Sequence, residues 1–134
     1  MPNIFEKLNL GVHREILILN APRSFEDALR LLKGVRILRR VAAVKELRFG
    51  LAFVTRQMEL DRLSKAIVAK AAGDALLWFA YPKGTSKRYT AEFNRDKGWD
   101  VLRNSGFDSV RQVAIDADWS ALRFRRLNFI KPSR

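Results

Sequence analysis

The strongest constraint on this chain is the uninterrupted apolar run Ala75-Leu-Leu-Trp-Phe-Ala-Tyr81, which ends abruptly at Pro82. A strand with one solvated face alternates apolar and polar residues, and this run does not alternate. It therefore predicts a strand buried on both faces, as in the centre of a parallel sheet. The polar segment Lys83-Gly-Thr-Ser-Lys87 follows directly. Because open α/β sheets bind ligands at the carboxyl ends of their strands, this segment is the first candidate binding loop.

Other apolar segments along the chain alternate with helical patterns. Strands are predicted at 15–20, 35–38, 49–54, 75–81, 109–115 and 120–126, and a leading helix at 4–10. Further helices are predicted from Ser24 to Gly34, from Thr55 to Gly73 and from Thr90 to Gly106, with Ser24 and Thr55 as N-caps, and residues 41–47 are ambiguous between loop and helical turn.

Strands that alternate with helices form a parallel sheet with right-handed crossovers. The last two strands are joined by only a few residues, so they must form an antiparallel hairpin on the edge of that sheet. The prediction is a three-layer, Rossmann-like α/β fold with a mostly parallel sheet of about six strands and a C-terminal antiparallel hairpin. This is the plan of the class I methyltransferase-like variant of the Rossmann fold.

Length and composition predict one domain over residues 1–134, with a leading helix and loop at 1–14 and a basic tail at 127–134. There is no repeat and no Pro-rich or Gly/Ser-rich linker. The chain has no cysteine, which excludes disulfides, a thiolate nucleophile and a cysteine metal site. The N-terminus lacks the pattern of a signal peptide and no apolar stretch approaches membrane-span length, so a cytoplasmic location is predicted.

Charge is the outlier of the composition. Lys and Arg outnumber Asp and Glu 26 to 14, which gives a net charge of +12 and an isoelectric point near 10.9. The cations form two belts, with only Glu46 opposing the first: Arg30, Lys33, Arg36, Arg39, Arg40, Lys45 and Arg48, then Arg123, Arg125, Arg126, Lys131 and Arg134. They are interpreted either as solvated faces with a basic tail or as a surface for an anionic partner such as nucleic acid.

Three stretches together resemble a bacterial family of short domains of unknown function. They are residues 16–22, residues 77–83, and residues 110–124 with the core Asp116-Ala-Asp-Trp-Ser-Ala-Leu-Arg-Phe124, and the similarity extends from residue 15 to about 126. The resemblance implies a shortened class I methyltransferase-like Rossmann domain. It implies no activity.

The first strand–helix turn argues against a conventional cofactor pocket. A Rossmann site needs glycines there, and an acid at the end of the second strand to bind a ribose hydroxyl. This chain has Asn20-Ala-Pro-Arg-Ser24 in the turn, and Arg39 and Arg40 in place of the acid. Neither S-adenosylmethionine nor a dinucleotide is therefore expected, and no other cofactor is indicated.

Three groups of residues are candidates for ligand binding. The loop supplies cations and hydroxyls for a phosphate or carboxylate, the predicted hairpin turn supplies paired acids beside a tryptophan, and the first strand–helix turn adds two polar residues. The candidates are Lys83, Thr85, Ser86, Lys87, Asp116, Asp118, Trp119, Asn20 and Arg23. The alternatives are an ordinary solvated loop, acids that only shape a turn, and a packing tryptophan. With His13 as the only histidine, no metal site or catalytic triad is indicated.

Three functions follow from these observations. The leading hypothesis is a non-catalytic methyltransferase-like domain that binds an anionic small ligand or a protein partner. The first alternative is non-specific nucleic-acid binding through the basic belts. The second is a divergent enzyme with Asp116 or Asp118 as acid/base and the Lys83 loop holding substrate. No membrane association is predicted, and the oligomeric state is left open.

Overall fold

A computed structural model describes residues 3–130, and its central feature is one six-stranded sheet in the order β2-β1-β3-β4-β6-β5. The strands are β1 (Glu15–Leu19), β2 (Arg36–Leu38), β3 (Leu47–Phe53), β4 (Ala71–Pro82), β5 (Phe107–Ala114) and β6 (Trp119–Arg126). The first four are parallel to one another, and β6 is antiparallel to both β4 and β5. The predicted parallel sheet with a terminal hairpin is confirmed.

Four helices connect and cover the strands: α1 (Ile4–Lys7), α2 (Arg23–Leu29), α3 (Gln57–Lys70) and α4 (Asp100–Asn104). Short 3-10 turns follow β2 at Val41–Ala43 and β6 at Leu127–Phe129. The ambiguous segment 41–47 therefore holds one helical turn. The predicted basic tail 127–134 begins with the second of these turns, and its residues 131–134 lie outside the described residues.

Two apolar layers cover the sheet, one on each face. Along β4 the side chains alternate between them, with Trp78 in the layer under α1 and α2 and Phe79 in the layer under α3 and α4. Both rings are at most 1% exposed. The indole Nε1 of Trp78 donates a 2.9 Å hydrogen bond to the carbonyl of Leu8, which ties the segment after α1 to the centre of the sheet.

The helix predicted from Thr90 to Gly106 is wrong in its first half. Residues 83–99 form a long loop without helix or strand, and only Asp100–Asn104 is helical. The loop buries Phe93 and Trp99 against α3 and α4, and the Trp99 indole donates to the carbonyl of Asn94. Gly98 has a φ of +108° and lies so close to Phe93 that an added Cβ would be 2.6 Å from the Phe93 Cβ. A regular helix is incompatible with this packing.

Both predicted N-caps are also wrong. Pro22 precedes α2, so Ser24 lies inside the first turn, and Arg56 precedes α3 in place of Thr55. The long loop instead supplies the hydrogen-bond acceptor at the start of α3. The Gln57 amide donates to Glu92 Oε1 at 2.8 Å, and the Glu92 amide donates to the Thr55 carbonyl at 2.9 Å. The carboxylate also interacts favourably with the helix dipole. Glu92 therefore fixes the middle of the loop to the N-terminus of α3.

Substitution of Glu92 by alanine tests this attachment. Glu92→Ala should lower the free energy of unfolding by about 0.5–2 kcal/mol, as loss of a helix cap does. Glu92→Gln is the matched control, because it keeps the Oε1 acceptor and loses only the charge. Urea denaturation followed by circular dichroism measures both variants. Equal losses in the two would contradict the capping role of the side chain.

Candidate functional site

The candidate loop and the candidate acidic turn lie side by side at one end of the sheet. Because β6 runs antiparallel to β4, the start of β6 meets the end of β4, and Pro82 is paired with Trp119. The next residue continues this contact, since the Lys83 amide donates to the Asp118 carbonyl at 2.8 Å. Two segments more than 30 residues apart in sequence thus form one surface at the carboxyl end of β4.

The two acids of the hairpin turn hold backbone and loop in place. Asp116 Oδ1 accepts from the amides of Asp118 and Trp119 at 2.8 and 2.9 Å, which is an Asx turn. Asp118 Oδ1 accepts from the Ser86 hydroxyl at 2.9 Å, and that hydroxyl in turn accepts from the amide of Tyr89 at 3.2 Å. These carboxylates shape the turn and the loop, which is the alternative that the sequence left open beside acid/base chemistry.

A cavity of about 810 Å³ opens beside this surface, between the end of β4 and the loop 83–99. Its lining includes three of the predicted residues, Lys83, Thr85 and Ser86. Lys87, Asp116, Asp118 and Trp119 are not part of the lining. The sequence did not identify the lining residues Tyr81, Thr90, Asn94, Arg95, Lys97 and Gln112. Residues 90–97 were missed because they were assigned to a helix.

The charges around the cavity are unevenly compensated. Of its two acids, Glu92 accepts from the Gln57 amide and Asp96 accepts from Arg95 Nε at 3.3 Å. No ion pair within residues 3–130 involves the ammonium group of Lys83 or of Lys97. The lining therefore carries three cations, Lys83, Arg95 and Lys97, against two acids, and neither lysine forms an ion pair with a described side chain.

Neutral hydrogen-bonding groups also line the cavity. The Tyr81 hydroxyl accepts from Gln112 Nε2 at 2.8 Å. Burial raises the pKa of Tyr81 above its ordinary value, so the phenol stays protonated at neutral pH and its O–H remains a donor. Thr85 and Thr90 add exposed hydroxyls. The wall offers donors to an acceptor-rich ligand.

The first strand–helix turn lies away from this cavity, and its residues bind one another. Asn20 has a φ of +59°, and its Nδ2 donates to the Phe53 carbonyl at 3.3 Å and to Glu59 Oε2 at 3.2 Å. It thereby links the ends of β1 and β3 to α3. Arg23 is exposed at the start of α2. The predicted residues Asn20 and Arg23 are not brought together with the Lys83 loop.

The basic residue at the end of β2 is likewise bound by another side chain of the protein. Arg39 makes a two-pronged ion pair with Glu26 of α2, with N–O distances of 2.6 and 2.9 Å. The Arg39 hydrogen bond, and secondarily its charge, hold the pKa of Glu26 below its ordinary value. The basic residue that the sequence showed in place of a ribose-binding acid is therefore engaged by a neighbouring helix.

Trp119 is a packing residue. It is 4% exposed and lies between Phe53 and Tyr89, with ring centroids 5.1 and 5.0 Å away. Its buried Nε1 has no hydrogen-bond acceptor within residues 3–130. This position fits the alternative that the sequence left open, in which Trp119 packs in the core and does not stack on a ligand.

The two tryptophans at 78 and 119 allow a matched measurement. Trp78→Phe and Trp119→Phe remove the same atoms from comparably buried sites, but only the first removes a hydrogen bond and leaves the Leu8 carbonyl unpaired. Trp78→Phe should therefore be less stable than Trp119→Phe by about 1–3 kcal/mol. Guanidinium denaturation of both variants checks this difference, and equal stabilities would show that the Trp78 hydrogen bond contributes nothing.

Two further observations concern residues 3–130 alone. They contain no cluster of three or more His, Asp or Glu side chains placed to hold a metal ion. No helix among them has the length and apolar character needed to cross a membrane.

Comparison with known proteins identifies the fold. No protein-family model matches the sequence, and no curated protein matches it, so membership of the predicted family of unknown function stays a prediction. Among solved structures, a ribosomal protein L11 methylase from Lactobacillus delbrueckii subsp. bulgaricus is similar with a TM-score of 0.59 at 10% identity, over 91% of this chain and 76% of that one. The N-methyltransferase NodS from Bradyrhizobium japonicum gives 0.54 at 15%, over 91% and 92%.

A putative type 11 methyltransferase from Sulfolobus solfataricus gives a TM-score of 0.55 at 4% identity, over 92% of this chain and 89% of that one. Identities this low establish a shared fold and nothing about activity. The chain has the class I methyltransferase-like, Rossmann-like α/β fold.

Proposed function

We propose that this domain is a non-catalytic member of the methyltransferase-like fold that binds a small anionic ligand in the cavity beside β4. The observation that carries the proposal is the pair of lysines, Lys83 and Lys97, which line the cavity and form no ion pair with a described side chain. With Arg95 they give the lining one cation more than it has acids, and a concave site with excess positive charge attracts anions. A ligand with a phosphate or carboxylate group would supply the partner that the two ammonium groups lack.

The size and lining of the cavity support a small molecule. Its volume of about 810 Å³ lies within the range of roughly 300–1,000 Å³ typical of small-molecule sites. Thr85, Thr90 and the protonated Tyr81 phenol add uncharged donors beside the cations. Phosphates and carboxylates accept several hydrogen bonds at once, so they match a wall of donors better than a neutral ligand does.

The absence of a fitting cofactor site supports the non-catalytic part of the proposal. The related structures include NodS in complex with S-adenosyl-L-homocysteine. Rossmann-like cofactor binding uses glycines in the first strand–helix turn so that the backbone can approach the ligand. Here that turn has Ala21 and Pro22, Asn20 ties it to Phe53 and Glu59, and Arg39 is held by Glu26. These residues do not fit S-adenosylmethionine.

The test is thermal unfolding and calorimetric titration with inorganic phosphate, nucleoside mono-, di- and triphosphates, small dicarboxylates and S-adenosylmethionine. A ligand at about 100 times its Kd should add about 2.7 kcal/mol and raise Tm by several degrees. The double variant Lys83→Glu/Lys97→Glu should abolish this shift. Lys33→Glu/Lys45→Glu is the matched control, because it changes the net charge equally at exposed positions near the amino ends of β2 and β3.

Each outcome decides the matter. Binding that is lost in Lys83→Glu/Lys97→Glu and kept in the control supports the proposal. Equal binding by wild type and both variants, or no binding of any anion at low salt, overturns it. Stabilisation by S-adenosylmethionine would overturn the non-catalytic assignment and make the chain a candidate methyltransferase.

A further inference from the structure

The first of the two basic belts is largely neutralised by acids, contrary to the expectation that only Glu46 opposes it. Four of its arginines form ion pairs: Arg30 with Asp27 at 2.8 Å, Arg36 with Glu15 at 3.8 Å, Arg39 with Glu26 at 2.6 Å and Arg48 with Glu46 at 2.9 Å. Only a part of the excess positive charge of the described residues therefore lies on this belt, at Lys33, Arg40 and Lys45.

Part of it lies on the hairpin, where two arginines face each other. Arg111 of β5 is directly opposite Arg123 of β6, at a β-bulge beside Val110. Along β6, Arg123 alternates with Leu122 and Phe124, which belong to the apolar layer under α3 and α4. The two arginines therefore lie on the other sheet face. Like charges directly opposite in a sheet are destabilising, so this pairing needs a compensating interaction.

Neither arginine forms an ion pair within residues 3–130. Arg123 Nε is buried and has no acceptor. Burial first, and then the charge of Arg125, lower the pKa of Arg123 from its ordinary value; the charge of Asp74 opposes this, and Arg111 adds a smaller lowering. Asp74 is bound by Arg125 through two hydrogen bonds of 2.8 and 2.6 Å. Asp108, the other acid on these strands, accepts from Arg103 at 3.5 Å.

We propose that Arg111 and Arg123 bind successive phosphates of a nucleic-acid backbone laid across this face of the hairpin. Guanidinium groups match phosphate oxygens in geometry and charge, and neither Arg111 nor the half-buried Arg123 forms an ion pair with a described acid. The excess of 26 basic over 14 acidic residues fits a polyanion. The arginines present no groups arranged to recognise bases, so binding is independent of sequence.

This surface is separate from the small-ligand cavity. Tyr81 and Gln112 of the cavity wall lie on the face of Leu122, whereas Arg111 and Arg123 lie on the opposite face. The two sites can therefore be inactivated independently, and failure of one proposal leaves the other standing.

The experiment is fluorescence anisotropy of short labelled oligonucleotides of mixed sequence, single-stranded and duplex, titrated with the full chain at several salt concentrations. Arg111→Gln/Arg123→Met should weaken binding roughly tenfold or more. It should also reduce the slope of log K against log salt by about 1.4 for single strands or about 1.8 for duplex, the release expected for two phosphate contacts. Lys33→Gln/Lys45→Met removes the same charge elsewhere and should leave the slope unchanged.

Folding of the variants is measured alongside. Removing a buried unpaired donor and a like-charge contact should leave Tm at or above that of wild type. Arg111→Gln alone, at an exposed position, keeps the test decisive if the double variant does not fold. This single variant should reduce the slope of log K against log salt by half as much as the double variant does.

Three results would overturn the proposal: no salt-dependent oligonucleotide binding by wild type, equal loss of affinity in the Lys33/Lys45 control, or tighter binding of a poly-glutamate peptide than of an oligonucleotide of equal charge. Loss confined to the Arg111 and Arg123 variants supports it.

Discussion

Pairing of β4 along both of its edges is the interaction on which the rest of the structure depends. From Leu77 to Ala80 it pairs on both edges, parallel with β3 and antiparallel with β6, and its side chains fill both apolar layers. Burial of Trp78 and Phe79 on opposite faces fixes the register, because a slip of one residue would exchange the two faces. The same register aligns Pro82 with Trp119 and so brings the Lys83 loop against the hairpin turn.

The strands could be predicted because their signal is local. The apolar run without alternation indicates the parallel centre of the sheet, and the short link before Trp119 indicates its antiparallel edge. Both signals are visible in adjacent residues. The loop 83–99 could not be predicted, because what holds it is distant in sequence. Glu92 accepts a hydrogen bond from Gln57, 35 residues away, and the Gly98 carbonyl accepts one from the Gln57 side chain, 41 residues away. In the local sequence, by contrast, Thr90 and Glu92 resemble an ordinary helix start.

Only some of the predicted candidate residues line the cavity, for a related reason. Small polar side chains near a turn can hydrogen-bond to the backbone or to a ligand with the same atoms. The sequence does not show which of the two they do. Asp116, Asp118 and Ser86 hydrogen-bond to the turn and to one another, and Asn20 ties two strand ends to α3. Lys83 forms no ion pair among residues 3–130, and ordering its long side chain around a turn would cost rotamer entropy.

Placement of the acids explains where the uncompensated charge remains. The acids Asp27, Glu15, Glu26 and Glu46 neutralise the arginines around α2 and the amino ends of the strands. Neither the cavity lysines nor the Arg111–Arg123 pair forms an ion pair among residues 3–130. Under the two proposals, an anion bound at either place would stabilise the fold, because it binds the folded state and not the unfolded chain. It would act on the fold as an additional acid would.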